Sequence, residues 1–201
     1  MVNIIEVDYK WAGILKKRDV TKYIVLHHAK AKSCTVQDID AWHKENGWAG
    51  FGYHYFTNKK GEIYRGRPID TVGAHCLNNN EMSIGICFEG DFDQEGMTDI
   101  QVSIGIELVR DLLKSYTGCM VVRHKDLVST DCPGKYFQDK IILEGMKPMD
   151  ENQVHWAEKP YQELLADGLD IKERRFDDEI TRGECFALVA DLLKTLKKDG
   201  N

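Results

Sequence analysis

A histidine and a cysteine stand eight positions apart, as His124 and Cys132, in the segment His-Lys-Asp-Leu-Val-Ser-Thr-Asp-Cys-Pro-Gly. Two more histidines, His27 and His28, follow an apolar run far upstream. Two histidines and one cysteine are a sufficient ligand set for a catalytic zinc ion that keeps its fourth position open to water. Structural zinc sites are usually closed by four protein ligands, often as Cys-x-x-Cys pairs, and the sequence contains no such pair. These residues therefore indicate hydrolysis at an open metal site.

The acidic balance of the chain argues against nucleic acid or anionic lipid as its main partner. The 201 residues carry a net charge of -6 at pH 7, and the sequence pI is near 5.7. No apolar run approaches the roughly 20 residues that a membrane span needs. The N-terminal residues lack the basic and apolar regions of a signal peptide. We therefore expect a cytoplasmic protein without a membrane span, whose six cysteines are reduced thiols rather than disulfides.

Short apolar runs alternate with helical patterns along the first part of the chain. The runs at 23–28, 51–57, 62–67, 83–89 and 119–124 predict strands, and the second and third are joined by the hairpin loop Asn-Lys-Lys-Gly. Strands that alternate with helices are typical of an α/β domain. The fold class expected is therefore α/β, with a mixed sheet of about five strands flanked by helices. His27 and His124 both lie at strand ends, where catalytic groups tend to gather.

Two helices are predicted between these strands. The first has Thr35 as its N-cap, ends near Gly47, and carries Ile39, Trp42 and His43 on one face, which places Trp42 in the core. The second begins at a capping box formed by Thr98 and Gln101, and apolar residues then repeat at four-residue spacing. One stripe of this second helix is therefore expected to pack on the sheet.

The pattern changes after residue 145. Residues 146–153 contain Lys-Pro and Met-Asp-Glu-Asn, which is typical of a linker. Beyond it, helices are predicted at 155–167 and 181–197. A segment of about 45 residues is near the lower limit for independent folding, so we expect this part to pack against the first domain or against another copy of itself. The sequence thus predicts a catalytic domain at 1–145, a linker at 146–153 and a small helical module at 154–201.

Six motifs resemble, in their order and spacing, the zinc-dependent N-acetylmuramoyl-L-alanine amidases of the type 2 family. That family includes phage lysozyme-type amidases and animal peptidoglycan-recognition proteins. The motifs are Val-Leu-His-His at 25–28, the segment 42–48, Gly-Tyr-His-Tyr at 52–55, Gly-Ala-His at 73–75, Ser-Ile-Gly-Ile at 83–86, and His124 with Asp-Cys-Pro-Gly at 131–134. The resemblance implies zinc-dependent hydrolysis of the amide bond between N-acetylmuramic acid and L-alanine in bacterial peptidoglycan, by a phage endolysin or an autolysin.

The resemblance also implies a ligand set for one zinc ion per chain, namely His27, His124 and Cys132. His28 is the alternative to His27. Because neighbouring side chains on a strand point to opposite faces, only one of this pair is expected to reach the site.

Four further residues receive roles from the resemblance. Tyr53 is implied to be catalytic, as the donor that stabilises the oxyanion. Thr130 is a second catalytic candidate, at a position where some family members carry lysine. Threonine brings no positive charge, which leaves more of the stabilisation to zinc and Tyr53. His75 and Asn80 are implied to contact the substrate.

The end of the chain resembles a single surface-layer-homology module, through His-Trp-Ala at 155–157 and Ile-Thr-Arg-Gly-Glu at 180–184. Such modules bind secondary cell-wall polymers, normally as a set of three. A single copy implies one of three roles: binding of a wall polymer, self-association of the chain, or a helical hairpin that only stabilises the first domain.

The rival to an enzyme is a peptidoglycan receptor that uses the same groove without cleaving its ligand. Members of the resembled family without activity lack a metal ligand, typically the cysteine. Cys132 is present here, which favours the enzyme. We therefore expect an amidase that waits in the cytoplasm of the producing bacterium and acts on the cell wall after release.

Overall fold

Six strands form one sheet in the part of the chain that the computed structural model describes, residues 2–147. In spatial order the sheet reads β1-β4-β3-β5-β2-β6. Only the β3–β4 hairpin is antiparallel; the other neighbouring strands run parallel. The strands are β1 Ile4–Ile5, β2 Tyr23–His28, β3 Tyr55–Thr57, β4 Ile63–Arg65, β5 Ser83–Phe88 and β6 Met120–Arg123.

This sheet confirms the predicted mixed α/β fold, with β1 as a strand that was not predicted. The predicted helical module lies outside the described residues, as does the predicted linker apart from its first two residues. Within residues 2–147, no helix has the length and apolar character needed to cross a membrane.

Three helices accompany the sheet over the same residues: α1 Val36–Glu45, α2 Asp99–Ser115 and α3 Lys140–Gly145. Both predicted N-caps are confirmed, because the side chain of Thr35 accepts a hydrogen bond from the Asp38 N–H and that of Thr98 from the Gln101 N–H. The Asp38 and Gln101 side chains complete the two capping boxes. Helix α3 was not predicted, and it packs against α2.

The predicted core position of Trp42 is wrong. Helix α1 buries Val36 and Ile39, whereas Trp42 is 41% exposed. The inward stripe continues from Ile39 to His43, one helical turn on, and His43 Nδ1 accepts a hydrogen bond from the Gly52 N–H at 2.8 Å. The helix therefore presents an imidazole, rather than the indole, to the chain segment that carries Tyr53.

Strand β2 is an interior strand, between β5 and β6, and brings the candidate residues to one end of the sheet. Its residues Ile24, Val25 and Leu26 are fully buried between the parallel neighbours β5 and β6. Since parallel strands end at the same edge of a sheet, the end of β2 and the turn after β6 lie side by side. His27 near the end of β2 and His124 directly after β6 are placed together by this arrangement.

Candidate metal centre

His27, His124 and Cys132 form a group whose possible ligand atoms all lie within 4.8 Å of one another. The rings of His27 and His124 have centroids 4.4 Å apart. His27 Nδ1 lies 3.7 Å from Cys132 Sγ. Zinc bonds of about 2.3 Å to sulfur and 2.05 Å to nitrogen at a tetrahedral angle would place these two atoms about 3.6 Å apart. The donor types and their spacing therefore fit a zinc ion.

Backbone hydrogen bonds hold the loop of Cys132 against the turn that carries His124. A short 3-10 helix, His124–Asp126, follows β6 directly. Lys125, the second residue of this helix, donates its N–H to the Cys132 carbonyl at 2.9 Å. The carboxylate of Asp126 accepts the Arg123 N–H at 2.8 Å and contacts the Arg123 guanidinium, so this acid braces the turn.

Burial governs the protonation of all three side chains. It lowers the pKa of His27 well below its ordinary value, and the neighbouring histidines His75 and His124 lower it further. Burial also lowers the pKa of His124. It raises the pKa of the Cys132 thiol to about 12. Metal binding needs neutral imidazoles and a thiolate. The imidazoles are therefore already in the neutral form that binds a metal. The thiol must lose its proton, and a bound cation would stabilise the resulting thiolate.

His28 points away from this group, as the alternation of side chains along a strand requires. Its ligand atom lies within 4.8 Å of those of Asp91 and Asp93, in a second potential metal-binding group. However, His28 Nδ1 accepts a hydrogen bond from the Phe92 N–H at 3.1 Å. The ring hydrogen of a neutral His28 must then be on Nε2, so neither nitrogen offers a free lone pair to a metal. This hydrogen bond instead ties β2 to the loop after β5.

The ring of Tyr53 lies beside the group, with its centroid 5.1 Å from that of His27. Burial raises the pKa of Tyr53 well above its ordinary value, and the nearby thiols of Cys87 and Cys132 add to this. The phenol therefore keeps the hydrogen that an oxyanion donor must supply. Two neighbours of Tyr53 were not predicted from the sequence: His43, whose ring centroid lies 5.5 Å away, and Cys87.

A sequence signal was present for His43, whereas the place of Cys87 depends on the register of the assembled sheet. His43 belongs to the motif at 42–48, but it was assigned to the apolar face of α1. Cys87 pairs in register with His27, so both side chains emerge on the same face of the sheet.

Thr130, the second catalytic candidate, lies at the exposed end of the Cys132 loop. Its Oγ1 accepts a hydrogen bond from the Cys132 N–H at 3.3 Å. The described contact therefore ties Thr130 to the backbone of the cysteine.

Of the two predicted substrate contacts, His75 lies next to His27, and Asn80 holds the backbone of His75. His75 is 8% exposed, and its Nδ1 lies 3.0 Å from His27 Nε2. The side-chain oxygen of Asn80 accepts the N–H groups of His75 and Cys76 at 2.8 and 2.9 Å. Their contact with substrate stays a prediction, whereas the contact of His75 with His27 and that of Asn80 with the His75 backbone are features of the structure.

The chain is similar in sequence to a family of known proteins. Residues 16–135 match the family described as N-acetylmuramoyl-L-alanine amidase. The endolysin of Klebsiella phage KP32 is 34% identical over 125 residues, which are 58% of this chain and 83% of that protein. Peptidoglycan-recognition protein SC2 of Drosophila melanogaster is 31% identical over 131 residues, 59% of this chain and 71% of that protein.

A solved structure shares both the sequence and the fold. The N-acetylmuramoyl-L-alanine amidase LysC from Clostridium intestinale URNW superimposes with a TM-score of 0.68 at 40% identity, over 71% of this chain and 95% of that chain. The family match covers more than half of the sequence and includes all three residues of the histidine–cysteine group. The chain therefore belongs to the N-acetylmuramoyl-L-alanine amidase family and is an amidase.

Proposed function

We propose that this protein is a zinc-dependent hydrolase of bacterial peptidoglycan, which cleaves the amide bond between the lactyl group of N-acetylmuramic acid and the first L-alanine of the stem peptide. The observation that carries the proposal is the cluster of His27, His124 and Cys132 at the carboxyl ends of β2 and β6, in a chain that belongs to this amidase family. Relatives named endolysin and N-acetylmuramoyl-L-alanine amidase support the peptidoglycan substrate.

The three clustered side chains would hold one zinc ion and leave its fourth position open. Bound there, zinc would supply a water molecule with a pKa of about 7 and would polarise the scissile carbonyl. A backbone hydrogen bond holds the loop that carries Cys132, and His27 is buried, so both side chains would be held in place for the metal.

Tyr53 would donate its hydroxyl hydrogen to the carbonyl oxygen as negative charge develops on it. The phenol is partly buried beside His27 and stays protonated, so it is a donor before the substrate arrives. A single donor of this kind contributes about 2.7–4 kcal/mol to the transition state. Thr130 has no charge to contribute, and we propose that its role is to hold the Cys132 N–H and to face the substrate from the loop.

The proposal is tested by the chemistry on purified cell wall. Hydrolysis of the proposed bond releases the amino group of L-alanine, so new N-terminal alanine should accumulate when purified peptidoglycan is incubated with the protein. Removal of zinc with a chelator should stop the release, and added zinc should restore it. Steady release in the presence of the chelator would rule out zinc dependence while leaving the amidase assignment intact.

The second candidate is a receptor that binds peptidoglycan without cleaving it. A specific observation favours it: several relatives are named peptidoglycan-recognition proteins, and one solved structure, 26% identical with a TM-score of 0.64, is a complex of such a protein with monomeric diaminopimelic acid-type peptidoglycan. Binding to purified walls with no release of alanine would support this candidate. The intact histidine–cysteine group argues for the enzyme, because a receptor has no need of it.

We propose further that the protein is an endolysin or autolysin that acts on the wall after release from the cytoplasm of the producing bacterium. Its relatives named endolysin support this role. The module at 154–201 would add a partner, either a secondary cell-wall polymer or a second copy of the chain.

Truncation of the chain after Gly145 tests the module. If residues 154–201 bind a wall polymer, the truncated chain should fold, keep its zinc and cleave a small soluble muramyl peptide at the full rate. It should bind and lyse whole walls poorly, because a tethered binding module raises the local concentration of the enzyme without touching its chemistry. The two substrates, measured in parallel together with the melting temperature, separate these effects.

Other outcomes of the truncation have distinct meanings. Aggregation or early melting would show that the module stabilises the catalytic domain, because truncation would then expose an apolar surface. Equal activity on both substrates with unchanged melting would contradict both wall binding and stabilisation.

A further inference from the structure

The two ring nitrogens of His27 face different partners. Nδ1 faces the thiol of Cys132 at 3.7 Å, on the side of the candidate metal centre. Nε2 faces Nδ1 of His75 at 3.0 Å, on the opposite side. Both histidines are buried, at 1% and 8% exposure. One hydrogen must lie between the two rings, and its position decides which nitrogen of His27 has a free lone pair.

Ser83 fixes that position, because its own hydrogen is already used. The Ser83 hydroxyl donates to the carbonyl of Asn79 at 2.7 Å. Its oxygen lies 3.4 Å from His75 Nε2 and can only accept there, so the ring hydrogen of His75 is on Nε2. His75 Nδ1 is then an acceptor, and the hydrogen shared with His27 belongs to His27 Nε2. This leaves the lone pair of His27 Nδ1 directed at the metal centre.

The ring of His75 is held in a slot that fits its shape. A Cβ atom added at Gly73 would lie 2.4 Å from a ring atom of His75, and one added at Gly85 would lie 2.6 Å from another. Real Cβ atoms essentially never come so close, so both glycines are needed for the ring to occupy this place. The Asn80 side chain fixes the backbone of His75 from the next turn.

We propose that His75 is a positioning residue, which acts through a directed chain of hydrogen bonds from His27 through His75 and Ser83 to the Asn79 carbonyl. The chain fixes the tautomer and orientation of His27, so that Nδ1 is the metal-binding atom. This inference rests on the proposed zinc-dependent function. Ligating histidines generally donate their other N–H to such a partner, and loss of the partner weakens metal affinity about 10- to 100-fold.

Two substitutions of His75 test the proposal through zinc affinity, measured by competition with a chromophoric chelator. His75→Ala removes the acceptor for His27 Nε2–H and should weaken zinc binding about 10- to 100-fold. His75→Asn places an amide oxygen close to the lost Nδ1 and should recover a large part of that affinity. Ile141→Ala is the control for lost stability, because Ile141 is fully buried in α3 and belongs to no part of the site.

The control separates positioning from packing. Ile141→Ala should lower the melting temperature and leave the zinc affinity unchanged. If His75→Ala keeps wild-type zinc affinity and only raises KM for the muramyl peptide, His75 is a substrate contact and the proposal is wrong. If alanine and asparagine weaken zinc binding equally, the hydrogen bond to His27 is not the cause, and the proposal is again wrong.

A spectrum of the full-length, zinc-loaded protein tests the tautomer directly. Long-range proton–nitrogen correlation of the histidine rings should show His27 protonated at Nε2 and bound to zinc through Nδ1. Zinc bound through Nε2 would overturn the inference even if the protein is an active amidase. A wild-type protein that binds no zinc would instead refute the proposed function, so the two failures are distinguishable.

Discussion

The Cys132→Ser protein should lose most of its zinc and nearly all of its amidase activity. A neutral hydroxyl is a poor substitute for a thiolate, which supplies both a soft donor atom and a negative charge to the metal. Elemental analysis of protein purified without added metal should give about one zinc per chain for the wild type, as expected for a single three-ligand site. The same analysis of the serine variant should give only a small fraction of that.

Cys119→Ser is the matched control for this substitution. Cys119 is another free thiol, buried where Cys132 is half-buried, and its Sγ donates to the Thr21 carbonyl at 3.1 Å, a hydrogen bond that a serine hydroxyl can replace. The control should therefore keep its zinc, its activity and its fold. Full zinc occupancy in the Cys132→Ser protein would show that the sulfur is not a ligand. Loss of zinc in both variants would point to general unfolding instead.

The strands that the sequence predicted best are those with the most burial. The bounds of β2 agree with the prediction because its apolar run is enclosed by parallel strands on both sides. The run at 51–57 was too long: only Tyr55–Thr57 is a strand. The backbone before this strand makes a different hydrogen bond, because the Gly52 N–H donates to the His43 ring. Strand β1 has two residues, and helix α3 has six residues and no side-chain cap. Both elements are too short to show a hydrophobic periodicity in the sequence.

In the candidate site too, some features follow from the local sequence and others depend on residues distant in the chain. Alternation along β2 was enough to predict that His27 and His28 face opposite sides, but not which of them faces the site. The two sides are distinguished by partners far along the chain: His124 and Cys132 beside His27, and the Phe92 N–H on His28. The place of His75 behind His27 likewise depends on room left by Gly85 on another strand. Contacts of this kind arise from the assembled sheet, and single-sequence spacing does not contain them.

Replacement of Tyr53 by phenylalanine should leave the fold and the zinc content unchanged and lower the turnover of a soluble muramyl peptide about 100-fold or more, the scale of a lost oxyanion donor. The substitution removes one hydroxyl from a ring that packs against His27 and His43, so the ring contacts survive. The loss should fall on kcat more than on KM, because the hydrogen bond strengthens as charge develops on the oxygen.

Tyr64→Phe is the matched control, because that hydroxyl donates only to the exposed Glu62 carboxylate among the described contacts. It should keep near wild-type turnover. If Tyr53→Phe also turns over at nearly the wild-type rate, with zinc intact, the metal alone carries the transition state and Tyr53 is a packing residue. If Tyr53→Phe instead loses zinc together with activity, its effect comes through His27 rather than through the substrate. Parallel measurement of kcat, KM and zinc content therefore assigns Tyr53 to one of three roles: hydrogen-bond donor, neighbour of the ligand, or part of the packing.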